Sequence, residues 1–222
     1  MFRYGLVVRL SQHYTDRQSN WQGRLEDVTR PQRSDAARNR AAVLAAADEL
    51  FATAAAPARV SMDDVAAGAG VGKGTLFRAF GSRAGLIQAL WALRTEPLRR
   101  AIESGPPPLG PGTDPSQRVA AILDAILVVK LDNRHLTLAL EERSGSASLY
   151  EQPQYQLVHR LLSDLLRDVG RGKESELLAH LLLAAVRADL LDHLAGSRGS
   201  SRRQLRAGVA AVVDLVLSGS SG

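Results

Sequence analysis

Residues 67–80 read Ala-Gly-Ala-Gly-Val-Gly-Lys-Gly-Thr-Leu-Phe-Arg-Ala-Phe. Glycines stand at 68, 70, 72 and 74, with Lys73 and Thr75 among them. Open backbone N–H groups, a point charge and a hydroxyl together suit a phosphate oxyanion. Spacing decides whose phosphate it is. A nucleotide P-loop needs four residues between its glycines and a Ser or Thr directly after the Lys, between a strand and a helix. Here Gly68 and Gly72 enclose three residues, and Gly74 follows Lys73. The dinucleotide pattern G-x-G-x-x-G fails too: started at Gly68 it ends on Lys73, and started at Gly70 it ends on Thr75.

The elements that must position these residues point elsewhere. Ser61 is a helix N-cap, with Asp63 and Asp64 in the first turn where negative charge suits the dipole. Met62, Val65, Ala66 and Ala69 form an apolar stripe, and Gly70 ends the helix because glycine enters the left-handed region without a Cβ penalty. A short helix then runs from about Lys73 to Phe80 and stops at Gly81. Small Ala66, Gly70 four residues on and Leu76 six beyond have the spacing of a helix-turn-helix. Val71 and Leu76 fill the wedge between its helices and Phe80 closes it from below. Lys73, Thr75, Phe77 and Arg78 project from the second helix, where Arg78 can pair with guanine O6 and N7 or clamp a phosphate. Gly72 and Gly74 allow close backbone approach.

These residues carry a resemblance. "VLAAADELFA" followed by "VSMDDVAAGAGVGKGTLFRAFGSRAGLIQAL" resembles the N-terminal domain of the tetracycline-repressor (TetR) family of transcriptional regulators, over residues 34–93 with the motif at 60–80. The family run V-A-x-x-A-G-V-S-x-G-T-L-Y-x-H-F is matched at Val65, Ala66, Ala69, Gly70, Val71, Gly74, Thr75, Leu76 and Phe80. Gly72 stands where the family has Ser, Phe77 where it has Tyr, and Ala79 where it has His. Two hydroxyls that reach phosphate are thereby lost. The resemblance implies DNA contacts from Lys73, Gly74, Thr75, Phe77, Arg78 and Arg83, with Lys73, Thr75, Arg78 and Arg83 as anchors. It also implies a dimeric regulator, usually a repressor, on a palindromic double-stranded operator, released by a small-molecule effector.

The remaining chain reads as helix throughout. Val43, Leu44, Ala47, Leu50, Phe51 and Ala54 recur at steps of three and four after a Ser34 cap, until Pro57. Leu86, Ile87, Leu90, Trp91 and Leu98 line one side of a fourth helix opened by Ser82, with Pro97 a point of kinking. "SGPPPLGPGTDPS" at 104–116 is a linker. Helical patterns follow at about 116–132, 134–143, 149–169, 174–195 and 200–217. No segment alternates like a strand. The expected fold is all-α: a three-helix DNA-binding domain joined by a fourth helix to a helical domain at 105–217, with a flexible arm at 1–33 and a tail at 218–222. The arm also reads as an overlong start or an ordered strand; its Arg24, Arg30 and Arg33 stand near enough to the first helix to reach a minor groove.

By resemblance, residues 105–217 bind the effector and dimerise. The two late apolar patterns, 174–195 and 200–217, are broader than one small core needs, so a symmetry mate could cover them; a thick monomer core is the alternative. Trp91, His135, Tyr155, His159 and Arg187, with Tyr150 and His180, are polar or aromatic enough to line a pocket. Each also has a plain structural reading: packing for the tyrosines, an ion pair with Asp189 or Glu141 for Arg187.

Charge supports the division. The chain has 28 basic and 23 acidic residues, net +5. Residues 1–104 hold all the excess and residues 105–222 balance at 13 of each. Between Asp64 and Glu96 stand Lys73, Arg78, Arg83 and Arg94 with no acid. That suits a polyanion, though a solvated face looks the same. With no cysteine, disulfides and thiolate metal sites are excluded. No apolar run reads as a signal peptide or membrane span, which fits the cytoplasm. His-Glu-x-x-His, Gly-x-Ser-x-Gly and Ser-x-x-Lys are absent, and no pair among the five scattered histidines shares a helix face at four-residue spacing with a carboxylate. No catalytic residue, metal or cofactor is expected; a nucleotide switch or a small helical enzyme is the alternative.

Overall fold

Ser61 shows why the motif begins where it does. Its hydroxyl accepts from the Asp64 N–H at 3.1 Å, while Asp64 Oδ2 accepts from the Ser61 N–H at 2.9 Å and from its hydroxyl at 2.7 Å. This reciprocal capping box satisfies N-terminal donors that no helical carbonyl can reach. The Ser61 hydrogen bonds hold the Asp64 carboxyl below its usual range. In this computed structural model residues 35–53, 59–138, 140 and 150–219 are described. The arm at 1–33, the Ser34 cap, the Pro57 stop, Glu141 and residues 220–222 lie outside them. Ser218 belongs to the last helix, so the tail begins one residue later than its sequence suggested.

The described residues are helical with no strand, and they divide into two units at Arg83/Ala84. The N-terminal unit holds α1 (35–53), α2 (Met62–Gly68) and α3 (Lys73–Phe80). Val43, Ala47 and Phe51 of α1, Met62, Val65 and Ala66 of α2, and Leu76 and Phe80 of α3 are buried. Each large aliphatic side chain so buried contributes about 1.5–3 kcal/mol. Gly68 of α2 stands against α1, where a Cβ would meet Ala46 Cβ and Leu50 Cδ1 at 3.6 Å.

The C-terminal unit holds α4 (Arg83–Ser104, entered at the boundary), α5 (Pro115–Asp132), α6 (134–138), α7 (Pro153–Asp168), α8 (Ser175–Ala185), α9 (Ala188–Asp192) and α10 (Arg202–Ser218). Helix α4 stays continuous through Pro97. Its core joins Ile122, Leu123 and Leu127 of α5, Leu162 and Leu166 of α7, Leu182 of α8 and Val213 of α10. Arg202 pairs with Asp132 at 2.6 Å and Arg206 with Asp124 at 2.7 Å, tying α10 to α5 at the surface.

The long apolar pattern at 174–195 is not one helix. It breaks at Arg187, which is extended at φ −66°, ψ 143°. A one-turn π segment, His193–Ser197, follows α9. Arg187 Nε and Nη2 donate to Asp189 Oδ1 and Oδ2 at 3.0 and 2.8 Å, and Asp189 Oδ1 also accepts from the Leu190 N–H at 2.8 Å. This local network stabilises a restart of the helix in place of its continuation.

Candidate nucleic-acid interface and a cavity in the C-terminal unit

The turn between α2 and α3 is built by backbone hydrogen bonds. The Gly70 N–H reaches the Ala67 carbonyl and the Val71 N–H reaches the Ala66 carbonyl, both at 3.1 Å. With Gly70 at φ +64°, this is a Schellman closure. Gly72 then caps α3 with extended backbone and no side-chain hydrogen bond. A Cβ at Gly72 or Gly74 would meet nothing within 4 Å, so the surface there is open backbone.

The orientation of α3 follows from what it buries. Leu76 is fully buried and Phe80 nearly so. Arg78 stands two residues from each, which at 3.6 residues per turn puts it about 160° around the helix from both. It is exposed, and no described residue pairs with it. Gly74 is exposed, Thr75 half-buried, and Phe77 is 40 % exposed. Val71, in the turn, is half-buried.

The other cations are engaged. Lys73 Nζ lies 2.8 Å from Asp63 Oδ1, an exposed ion pair linking α3 to the first turn of α2. Arg83 points into its own unit: Nε donates to the Val60 carbonyl at 3.1 Å, and the guanidinium lies 5.6 Å from the Phe51 ring centroid. Arg94 donates to the Asn133 side chain in the C-terminal unit. Of the two α3 cations in this run, Arg78 is the one with no acid partner among the described residues.

Arg40 was not singled out by sequence. From α1, its Nη1 donates to the Ala79 carbonyl at 3.0 Å and its guanidinium covers the Phe80 ring at 4.4 Å. It meets the negative end of the α3 dipole and fixes the C-terminus of the helix that carries Arg78. The pair is 39 residues apart, and no local pattern announces it.

The C-terminal unit contains a cavity of about 630 Å³ walled by α4, α5, α6, α7 and α8. Of the residues expected to line a pocket, Trp91, Tyr155 and Arg187 lie on its wall. His135 does not; it is exposed on α6. His159 is buried behind the wall, Nε2 3.0 Å from the Glu176 carbonyl. The Tyr155 hydroxyl lies 2.6 Å from His180 Nδ1, and the His159 and His180 ring centroids are 3.9 Å apart. Burial and the neighbouring His159 push His180 below its ordinary value, and burial raises Tyr155. Arg118, Lys130 and Arg99 also reach the cavity; without tertiary context their charges read as solvated.

Residues 43–90 match the family model described as bacterial regulatory proteins, tetR family. Over this stretch the chain is similar to the DNA-binding domain of that family. Solved structures share its fold over most of its length. A TetR-like transcriptional regulator from Rhodococcus sp. RHA1 is 22% identical with a TM-score of 0.57, covering 82% of this chain and 97% of that one. A putative TetR-family transcriptional regulator from Rhodococcus sp. is 20% identical with a TM-score of 0.58, covering 81% and 99%. NalD, the secondary repressor of the MexAB-OprM multidrug efflux pump in Pseudomonas aeruginosa, is 20% identical with a TM-score of 0.53, covering 82% and 96%. No curated protein matches the chain. Among the described residues no helix is long and apolar enough to cross a membrane, and no cluster of His, Cys, Asp or Glu could hold a metal ion.

Proposed function

We propose that this TetR-like regulator is a dimeric repressor, acting in the cytoplasm, whose α3 reads a palindromic operator and whose C-terminal cavity takes the small molecule that releases it. The observation that carries the DNA reading is the exposed Arg78, opposite the buried Leu76 and Phe80 on a helix clamped at its end by Arg40. A guanidinium so placed can enter a major groove and donate two hydrogen bonds to one guanine. Gly74, Thr75 and Phe77 share the approach surface, and Lys73 reaches phosphate once it leaves Asp63. Arg83 acts by holding the Val60 carbonyl just before α2 and keeping the motif in place. The repressor role draws support from NalD, itself described as a repressor.

The dimer reading rests on leucines left uncovered. Leu177 and Leu181, one turn apart on α8, are 63% and 54% exposed, and Leu215 on α10 is 73% exposed. A second copy seated on these helices would remove them from water through a self-complementary interface. The test is selection of bound duplexes from a random DNA pool with the purified full chain. An inverted repeat with half-sites about 10 base pairs apart, or a multiple of that, is expected. A selected pool without repeated half-sites would overturn the reading.

A further inference from the structure

The wall of the C-terminal cavity is apolar through most of its length, with Trp91, Leu98, Ile126, Val158 and Leu161 on it. Its charged groups are unbalanced. Arg99, Arg118, Lys130 and Arg187 reach it, against Glu103 as the single acid among the described lining residues. Glu103 is already committed, with Arg99 Nη1 at 2.6 and 2.5 Å from its two oxygens, and Glu96 also grips Arg99 at 2.7 Å. Arg187 is matched by Asp189.

Arg118 differs. It is half-buried at the start of α5, and no carboxylate among the described residues pairs with it. Its Nε donates to the Leu109 carbonyl at 2.9 Å and its Nη2 to the Ile102 carbonyl at 2.8 Å. Two carbonyls orient the guanidinium but leave its charge without a counter-ion, and the Nη1 donors remain for another acceptor. A cation kept partly out of water beside an apolar cavity gains from an anion brought by a ligand.

We infer that the cavity takes an amphipathic organic anion, with its apolar body along the Trp91–Leu161 wall and its acidic head on Arg118. The volume falls in the range of small-molecule sites, about 300–1,000 Å³. This inference rests on the reading of the cavity as the effector site and adds the ligand's chemical class. Binding then places a carboxylate where α5 meets the carbonyl ends of α4 and of the following linker. It gives Arg118 the counter-ion that no described carboxylate supplies.

Calorimetric titration of the full chain with decanoate, 1-decanol and decylamine, each kept below aggregation, separates the possibilities. Decanoate is expected to bind at least about tenfold more tightly than either of the others, the discrimination of one charge-assisted contact. Arg118→Gln should bring decanoate to within about threefold of decanol. Equal or tighter binding of decanol or decylamine by the wild-type chain would overturn the inference without need of a variant. Retention of the decanoate preference in Arg118→Gln would overturn the assignment of the head group. If none of the three binds, the reading of the cavity as a ligand site fails first.

Discussion

Lys73 Nζ lies 2.8 Å from one carboxylate oxygen of Asp63 and 2.9 Å from the other. The cation at the first turn of the proposed recognition helix is therefore held by an acid on the helix before it. Both side chains are more than half exposed, so the pair contributes little to stability. Its consequence lies in binding: DNA phosphate has to displace Asp63 to gain Lys73.

Asp63→Asn is accordingly expected to raise affinity for non-specific duplex by about three- to tenfold at low salt. It should also steepen the slope of log K against log salt by up to about 0.9, one further phosphate contact. A salt series of fluorescence anisotropy on a random-sequence duplex measures both. Unchanged affinity and slope would show that the pair does not restrain Lys73.

Gly70→Ala tests the turn. A Cβ at Gly70 meets nothing within 4 Å, so space is available, but φ is +64°. The left-handed conformation costs an alanine about 1–2 kcal/mol, and chemical denaturation of the N-terminal unit should show that loss. A loss below about 0.3 kcal/mol would mean the closure on Ala66 and Ala67 is not needed.

How far these features were legible depends on how local their causes are. The capping box at Ser61, the stop at Gly70 and the burial of Leu76 and Phe80 each follow from residues within one or two turns of one another. Sequence pattern displays them. Arg83 was expected at the DNA because its charge follows the motif; its contacts with the Val60 carbonyl and the Phe51 ring depend on how α1 folds back and are not local in sequence. Arg40 was invisible for the same reason, and so was Asp63 as the partner of Lys73. Hydropathy at 174–195 is uniform, so the break at Arg187 left no trace there; the Arg187–Asp189 pair was readable, its effect on the backbone was not. His135 was named for its chemistry alone, and helix phase turned it to solvent.

The histidine pair behind the cavity sets a pH dependence. His180 lies below its ordinary 6.5 because burial and His159 disfavour its charge. Tyr155 and Tyr150 face it as well, and Glu176 opposes the shift. Above pH 6.5 both folded and unfolded chains hold it neutral and the shift costs nothing. As pH falls through 6.5 the unfolded chain takes the proton first, so stability is lost until pH reaches the folded value. Urea titrations between pH 8 and pH 5 should show this loss, and His180→Gln should reduce it. An equal pH dependence in the variant would remove His180 as its source.

Leu177→Glu combined with Leu181→Glu places two charges on the uncovered face of α8. The expected result is a change from dimer to monomer in light scattering, with helicity by circular dichroism unchanged. A dimer that survives both substitutions would relocate the interface.

The central claim is that α3 reads DNA through Arg78. Gel shift of wild-type and Arg78→Ala chains on a selected operator and on a scrambled duplex, at the same salt, tests it most directly. The account predicts a loss on the operator of about 1–3 kcal/mol per half-site, roughly five- to 150-fold, with a much smaller change on the scrambled duplex. Equal operator affinity for the two chains would contradict it.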